Sequence, residues 1–200
     1  VVAVLNAFDQ AGLSEYFTVI GTHALYAYET AANVLIQSGA LATQDVDLLW
    51  DARKMLQFNS ALQQHDASVL KVLRSADASF NRMDEQKESA INDKGFMVDF
   101  LRRMATDQDP HPFRFSADED DIWPVQAQRA ELFLRAPKFS QVVVSTSGRM
   151  ALMHTTSPRV FVDFKQWMAG LDSRPAGKRR RDALQAQLVQ QLLDDALLIA

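Results

Sequence analysis

Three aspartates are the side chains of this sequence best suited to chemistry. Asp45 and Asp47 form an Asp-x-Asp motif, and Asp99 interrupts the apolar run 96–101. Because side chains alternate between the two faces of a β-strand, Asp45 and Asp47 point to the same face of a predicted strand. Two adjacent carboxylates repel each other, and a divalent cation would relieve that repulsion. A third carboxylate from a neighbouring strand would complete an oxygen-rich site suited to Mg²⁺.

A glycine corner lies upstream of the Asp-x-Asp motif. Gly21 and Thr22 follow the β-branched and aromatic run 16–20, which predicts a strand. The Ala- and Leu-rich stretch that follows predicts a helix over 24–37, broken by Gly39. The corner is therefore expected between the end of a strand and the start of a helix.

The remaining patterns predict a mixed α/β arrangement rather than a regular βαβ series. Helices are predicted at 1–11, 52–65, 158–170 and 176–198. Strands are predicted at 45–50, 88–92, 96–101, 142–144 and 150–153, with short strands or connectors at 69–73 and 78–82. Residues 105–122, including the acidic run 118–121, are predicted to form a long, solvated loop. We expect an α+β fold: a mixed sheet flanked by helices over residues 1–154, then a helical subdomain over 155–200.

The composition of the chain excludes several classes of protein. The chain has 200 residues, a hydrophobic fraction of 48% and a net charge of −4. This charge argues against a general nucleic-acid coat. The absence of cysteine excludes disulfides, thiolate nucleophiles and zinc–thiolate sites, and it fits a reducing compartment. No apolar run approaches the roughly 20 residues that span a bilayer. We expect a cytoplasmic protein without membrane association.

The ordered combination of these motifs resembles the DNA polymerase β-like nucleotidyltransferase superfamily. Residues 21–29 together with 42–47 are similar to a bacterial nucleotidyltransferase-like family, over roughly residues 5–195. The resemblance implies a nucleotidyltransferase-like catalytic domain over 1–154. It also implies metal-dependent transfer of a nucleoside monophosphate from an NTP to an acceptor hydroxyl, with release of pyrophosphate.

The resemblance assigns the three aspartates to the metal. Asp45 and Asp47 would hold the Mg²⁺ or Mn²⁺ that bridges the triphosphate, and Asp99 would complete a second metal position and activate the acceptor hydroxyl. Gly21 and Thr22 would let backbone amides approach the phosphates. The sequence departs from the superfamily at the corner, because Thr22 stands where a second small residue is common.

Basic residues near the end of the chain are also part of the resemblance. Abortive-infection-type toxins look similar in carrying Lys and Arg there, which implies nucleotide binding by Lys165, Arg174 and Lys178. The four consecutive basic residues 178–181 leave the register of this match open. For Lys165, an ion pair with Asp163 or another neighbour is the alternative.

Several alternatives stay open from the sequence. A glycosyltransferase also uses Asp-x-Asp to bind a metal and a nucleotide-sugar diphosphate, although it would leave Asp99 without a task. A degenerate nucleotide-binding fold in a toxin–antitoxin or defence system is a third reading. The acceptor could be an RNA end, an antibiotic or other small molecule, or a protein hydroxyl. The preferred NTP and the oligomeric state are not determined.

Overall fold

The computed structural model describes residues 1–41, 43–64 and 68–198. Within these residues eight strands form one mixed sheet, in the order β3-β4-β5-β2-β1-β8-β7, with β6 paired to the end of β5. β1 runs antiparallel to β2, whereas β2 runs parallel to β5 and β1 parallel to β8. The strands are β1 Phe17–Ile20, β2 Asp45–Trp50, β3 Asn81–Arg82, β4 Ser89–Ile91, β5 Met97–Arg102, β6 Val125–Gln126, β7 Lys138–Val144 and β8 Met150–Thr156.

Helices flank the sheet, which confirms the predicted mixed α/β class. The last two helices pack closely against each other, and α8 also contacts α2 and α3. In the described part of the chain, no helix is both long and apolar enough to cross a bilayer. The helices are α1 Val2–Gln10, α2 Ala24–Ala32, α3 Ser38–Leu41, α4 Met55–Gln64, α5 Val69–Ala76, α6 Ala130–Arg135, α7 Pro158–Ala169 and α8 Ala176–Asp194.

Three predicted elements differ from the structure. The helix predicted over 24–37 ends at Ala32, because Asn33 adopts a left-handed conformation with φ of 54°. Gly39 lies inside the short helix α3 rather than breaking a longer one. Residues 69–73, predicted as a strand or connector, belong to helix α5, whose apolar side chains recur at helical spacing. Helix α6 was not predicted.

The main core lies on one face of the sheet. Val46, Leu48 and Trp50 of β2, and Val98 and Phe100 of β5, all point into it. Helices α1, α4 and α5 cover this face with further apolar side chains. Because alternate residues of a strand point to opposite faces, Asp45, Asp47 and Asp99 are on the other face of the sheet. The core thus fixes the orientation of both strands that carry the aspartates.

The long loop 105–122 has no helix or strand, as predicted, but part of it is buried. Phe115 and Ile122 belong to the main core. The prediction that 118–121 is solvated is wrong for Asp121, which is fully buried. Its Oδ1 accepts a hydrogen bond from the backbone N–H of Leu70 at 3.0 Å. Leu70 lies in the first turn of α5, where backbone N–H groups lack partners within the helix, so Asp121 fastens the loop to α5.

Replacing Asp121 with Ala should therefore destabilise the protein. The loss of this cap should lower the free energy of unfolding by about 1 kcal/mol, measured by urea denaturation. Asp120→Ala is the matched control, because Asp120 is exposed and its loss should change stability by less than about 0.5 kcal/mol. Equal effects of the two substitutions would contradict the capping role.

Candidate functional site

The strand register brings the three aspartates together. In the parallel pairing of β2 with β5, Asp47 stands directly opposite Asp99. Asp45 lies two residues earlier on the same face of β2. One carboxylate oxygen of each residue lies within 4.8 Å of the others. The structure thus places the three predicted residues in one cluster, and their chemical role stays a prediction.

The environment of Asp47 disfavours its charged form. Burial, and after it the negative charges of Asp45 and Asp99, raise the pKa of Asp47 to about 7. The nearby positive charges of Lys165 and Arg174 oppose this increase. A nearby cation would therefore stabilise the charged form of Asp47 more strongly than it would stabilise a solvent-exposed carboxylate.

The environment of Asp99 is similar to that of Asp47, and Asp99 also accepts a hydrogen bond from the neighbouring strand β4. Burial raises the pKa of Asp99, and the charges of Asp45 and Glu88 add to this increase. A hydrogen bond from Ser89 Oγ to Asp99 Oδ1, at 2.6 Å, acts in the opposite direction, as does the positive charge of Lys178. Ser89 lies on β4 directly opposite Asp99. It therefore fixes one oxygen of Asp99 and leaves the other available.

Two residues near Asp45 complete this side of the cluster. The hydroxyl of Thr43 donates a hydrogen bond to Asp45 Oδ1. His23 is buried, packs against Tyr26 and Phe96, and also lies close to Asp45. Burial lowers the pKa of His23 to about 4, so the ring is neutral at pH 7. A neutral ring adds no positive charge to the cluster.

Gly21 lies against Asp47 and leaves no room for a side chain. It adopts a left-handed conformation with φ of 70°, and a Cβ atom there would lie 2.3 Å from Asp47 Oδ2. The contact follows from the antiparallel pairing of β1 with β2, in which Ile20 is opposite Asp47. Only glycine avoids both the backbone strain of the left-handed conformation and the clash with the Asp47 carboxylate.

A cavity of about 280 Å³ adjoins the carboxylates. The glycine corner lines it, and helices α7 and α8 and the segment between them supply the predicted cations. The apolar side chains of Phe133, Phe164 and Met168 line another part. The predicted site residues that line this cavity are Gly21, Thr22, Asp45, Asp47, Asp99, Lys165, Arg174 and Lys178.

Asp182 holds two of these cations in place. It is fully buried on α8, and its Oδ1 accepts a hydrogen bond from Lys165 Nζ at 2.8 Å. Its other oxygen accepts a hydrogen bond from Arg174 Nε. The ion pair expected as the alternative for Lys165 is therefore made with Asp182 rather than with Asp163. Lys178, by contrast, is exposed at the start of α8.

Sequence reasoning did not assign a role to Asp182 or to its neighbour Gln185. Both lie on a buried stripe of α8 that continues with Ala186 and Val189, at the i, i+3, i+4 and i+7 spacing of one helix face. Polar side chains on a buried stripe need hydrogen-bond partners. This pattern in the sequence could have identified Asp182 and Gln185 as residues with buried polar partners.

The role of Gly21 can be tested by comparison with another left-handed glycine. Gly148→Ala should lower the free energy of unfolding by about 1–2 kcal/mol from backbone strain, because its φ is 81° and the space around it is open. Gly21→Ala should lower the free energy of unfolding by a larger amount, because the added methyl group also clashes with Asp47. Urea denaturation of both variants measures the difference. Equal losses would show that Gly21 is not in close contact with Asp47.

Comparisons with known proteins complete the description of the site. A family model described as nucleotidyltransferase matches residues 1–198. Curated protein sequences give no significant match. A solved structure of the antibiotic-resistance factor ANT(2'')-Ia is similar over 97% of this chain and 89% of that chain, with 10% identity and a TM-score of 0.35.

Proposed function

Because the chain belongs to the nucleotidyltransferase family and is therefore an enzyme of that type, we propose that it transfers a nucleoside monophosphate from an NTP to an acceptor hydroxyl. Pyrophosphate is the other product, and the reaction depends on a divalent cation. One observation carries this proposal: Asp45, Asp47 and Asp99 converge beside the Gly21 corner, in a cavity also lined by cations. Carboxylates suit the metal, and the cations suit the phosphates.

The donor set of the cluster fits Mg²⁺ or Mn²⁺. All three side chains offer oxygen ligands, which these hard cations prefer. The raised pKa of Asp47 reflects first its burial and then the negative charges of Asp45 and Asp99, and a bound cation would stabilise the ionised form. Asp45, Asp47 and Asp99 would hold the cation. When bound, it would neutralise charge on the phosphate oxygens during transfer.

The residues of the chain have separate tasks in this proposal. Lys165, Arg174 and Lys178 bind the phosphate oxygens of the NTP and orient the triphosphate. Asp99 accepts the proton of the acceptor hydroxyl as that oxygen attacks the α-phosphate. Ser89 supports this role, because its hydrogen bond holds the Asp99 carboxylate in one orientation.

The proposed division of the chain follows these tasks. Residues 1–154 supply the carboxylates and the glycine corner, and residues 155–200 supply Lys165, Arg174 and Lys178. We propose that the basic segment 174–181, three residues of which line the cavity, contributes to selection of the acceptor. The loop 105–122 instead packs into the main core on the opposite face of the sheet. The acceptor is an RNA end, a small molecule or a protein hydroxyl.

The carboxylate cluster gives the first test. Asp47→Asn should abolish transfer of label from an NTP in the presence of Mg²⁺. It should also raise the melting temperature without metal, because like-charge repulsion is removed, and lose the melting-temperature shift that Mg²⁺ causes in the wild type. Asp107→Asn, at an exposed position of the loop 105–122, is the control and should behave like wild type. Retained transfer in both Asp45→Asn and Asp47→Asn would refute the proposed function.

The phosphate-binding role can be tested at the start of α8. Lys178→Ala should raise KM for the NTP by about tenfold, because a hydrogen bond to a charged group is lost, with little change in stability at this exposed position. Arg179→Ala is the control, because Arg179 pairs with Asp172 at 3.2 Å. Its KM should stay near the wild-type value. Steady-state kinetics would contradict the assignment if both variants had the same KM.

The acceptor should be sought with the intact chain. Each labelled NTP is incubated with Mg²⁺ or Mn²⁺ and cell lysate, and the labelled product is then identified. Labelling from UDP- or GDP-sugars instead of NTPs would favour the glycosyltransferase alternative. NTP binding without turnover of any acceptor would favour the nucleotide-binding module of a defence system.

A further inference from the structure

Gln185 connects the glycine corner to the segment that leads into β2. Its side chain is fully buried on α8. Its Nε2 donates hydrogen bonds to Thr22 Oγ1 at 3.1 Å and to the carbonyl oxygen of Ala40 at 2.7 Å. Thr22 lines the cavity. A buried amide thus contacts the hydroxyl of a residue that lines the cavity.

The chemistry of the two partners fixes the orientation of the Gln185 amide. A backbone carbonyl can only accept hydrogen bonds, so the NH₂ group of Gln185 must face Ala40. The same nitrogen carries a second hydrogen, which it donates to Thr22 Oγ1. The Thr22 oxygen is therefore an acceptor in this contact. Its own proton is not used by Gln185 and is left to donate elsewhere.

From this arrangement we propose that Gln185 is a positioning residue that keeps the Thr22 hydroxyl as a donor toward a phosphate oxygen of the nucleotide. This inference rests on the proposed function, because it assigns Thr22 a ligand in the same cavity. Triphosphate oxygens only accept hydrogen bonds. A hydroxyl whose oxygen already accepts a hydrogen bond from Gln185 can still donate its own proton to such an oxygen. Gln185 also connects α8 to α3 through the carbonyl oxygen of Ala40.

The experiment compares nucleotide affinity across a double-mutant cycle. Binding of ATP, CTP, GTP and UTP to the intact chain is measured by calorimetry in Mg²⁺, and the tightest is kept as the probe. Thr22→Val should weaken binding about tenfold, because the donor to a charged group is lost. Thr22→Ser, which retains the hydroxyl, should restore affinity to within about twofold of wild type.

Gln185→Met removes the amide while conserving much of the side-chain length. It should weaken binding severalfold in the Thr22 background and have no further effect in the Thr22→Val background, because both substitutions remove the same interaction. Unfolding in urea reports separately on stability. A purely structural role for Gln185 predicts additive losses of affinity in the cycle, and that result would overturn the inference.

The failure of this inference is distinguishable from failure of the proposed function. A wild-type chain that binds none of the NTPs overturns both. A wild-type chain that binds an NTP while Gln185→Met binds it equally well overturns only the role of Gln185. If Gln185→Met does not fold, Thr22→Val still tests the inference. Unchanged nucleotide affinity in Thr22→Val would show that the proposed hydrogen bond from Thr22 to the phosphate is not made.

Discussion

Repulsion among three neighbouring carboxylates is the constraint on which the rest of the site depends. Two adjacent strands hold Asp45, Asp47 and Asp99 with oxygens within 4.8 Å of one another. Like charges at this separation oppose folding unless protons, cations or fixed dipoles compensate them. The core on the opposite face prevents the strands from rotating to separate them, because Val46, Leu48 and their neighbours would then leave the apolar interior. The fold therefore maintains an arrangement that electrostatics alone would disperse.

Compensating charge is present nearby, but it is held back from the carboxylates. Lys165 and Arg174 are fastened to Asp182, and both still lower the pKa of Asp47 through space. If the two cations paired directly with the cluster, they would occupy the carboxylate oxygens that the proposed metal would use. Asp182 thus holds both cations in the lining of the same cavity that the carboxylates line.

The parts of the site that follow from local periodicity could be predicted from the sequence. The alternation of apolar and acidic residues in β2 and β5 determined which face each aspartate occupies, and the register then placed Asp47 opposite Asp99. Contacts between distant segments could not be predicted in this way. Asp121 reads as part of an acidic run, yet a contact with Leu70 buries it. Asp182 likewise acquires its contact with Lys165 only through the packing of α8 on α7. Gln185 acquires its partners only where α8 meets the glycine corner and α3.

The β-branched residue at the glycine corner illustrates how tertiary structure resolves a local conflict. Threonine restricts the backbone, so Thr22 would be unsuitable if the whole corner required left-handed geometry. The structure assigns the left-handed conformation to Gly21 alone, while Thr22 lies in a right-handed 3-10 turn over Gly21–His23. Gly21 is also the glycine at which an added Cβ atom would clash with Asp47. The second position can therefore carry a hydroxyl, and that hydroxyl oxygen accepts a hydrogen bond from the buried amide of Gln185.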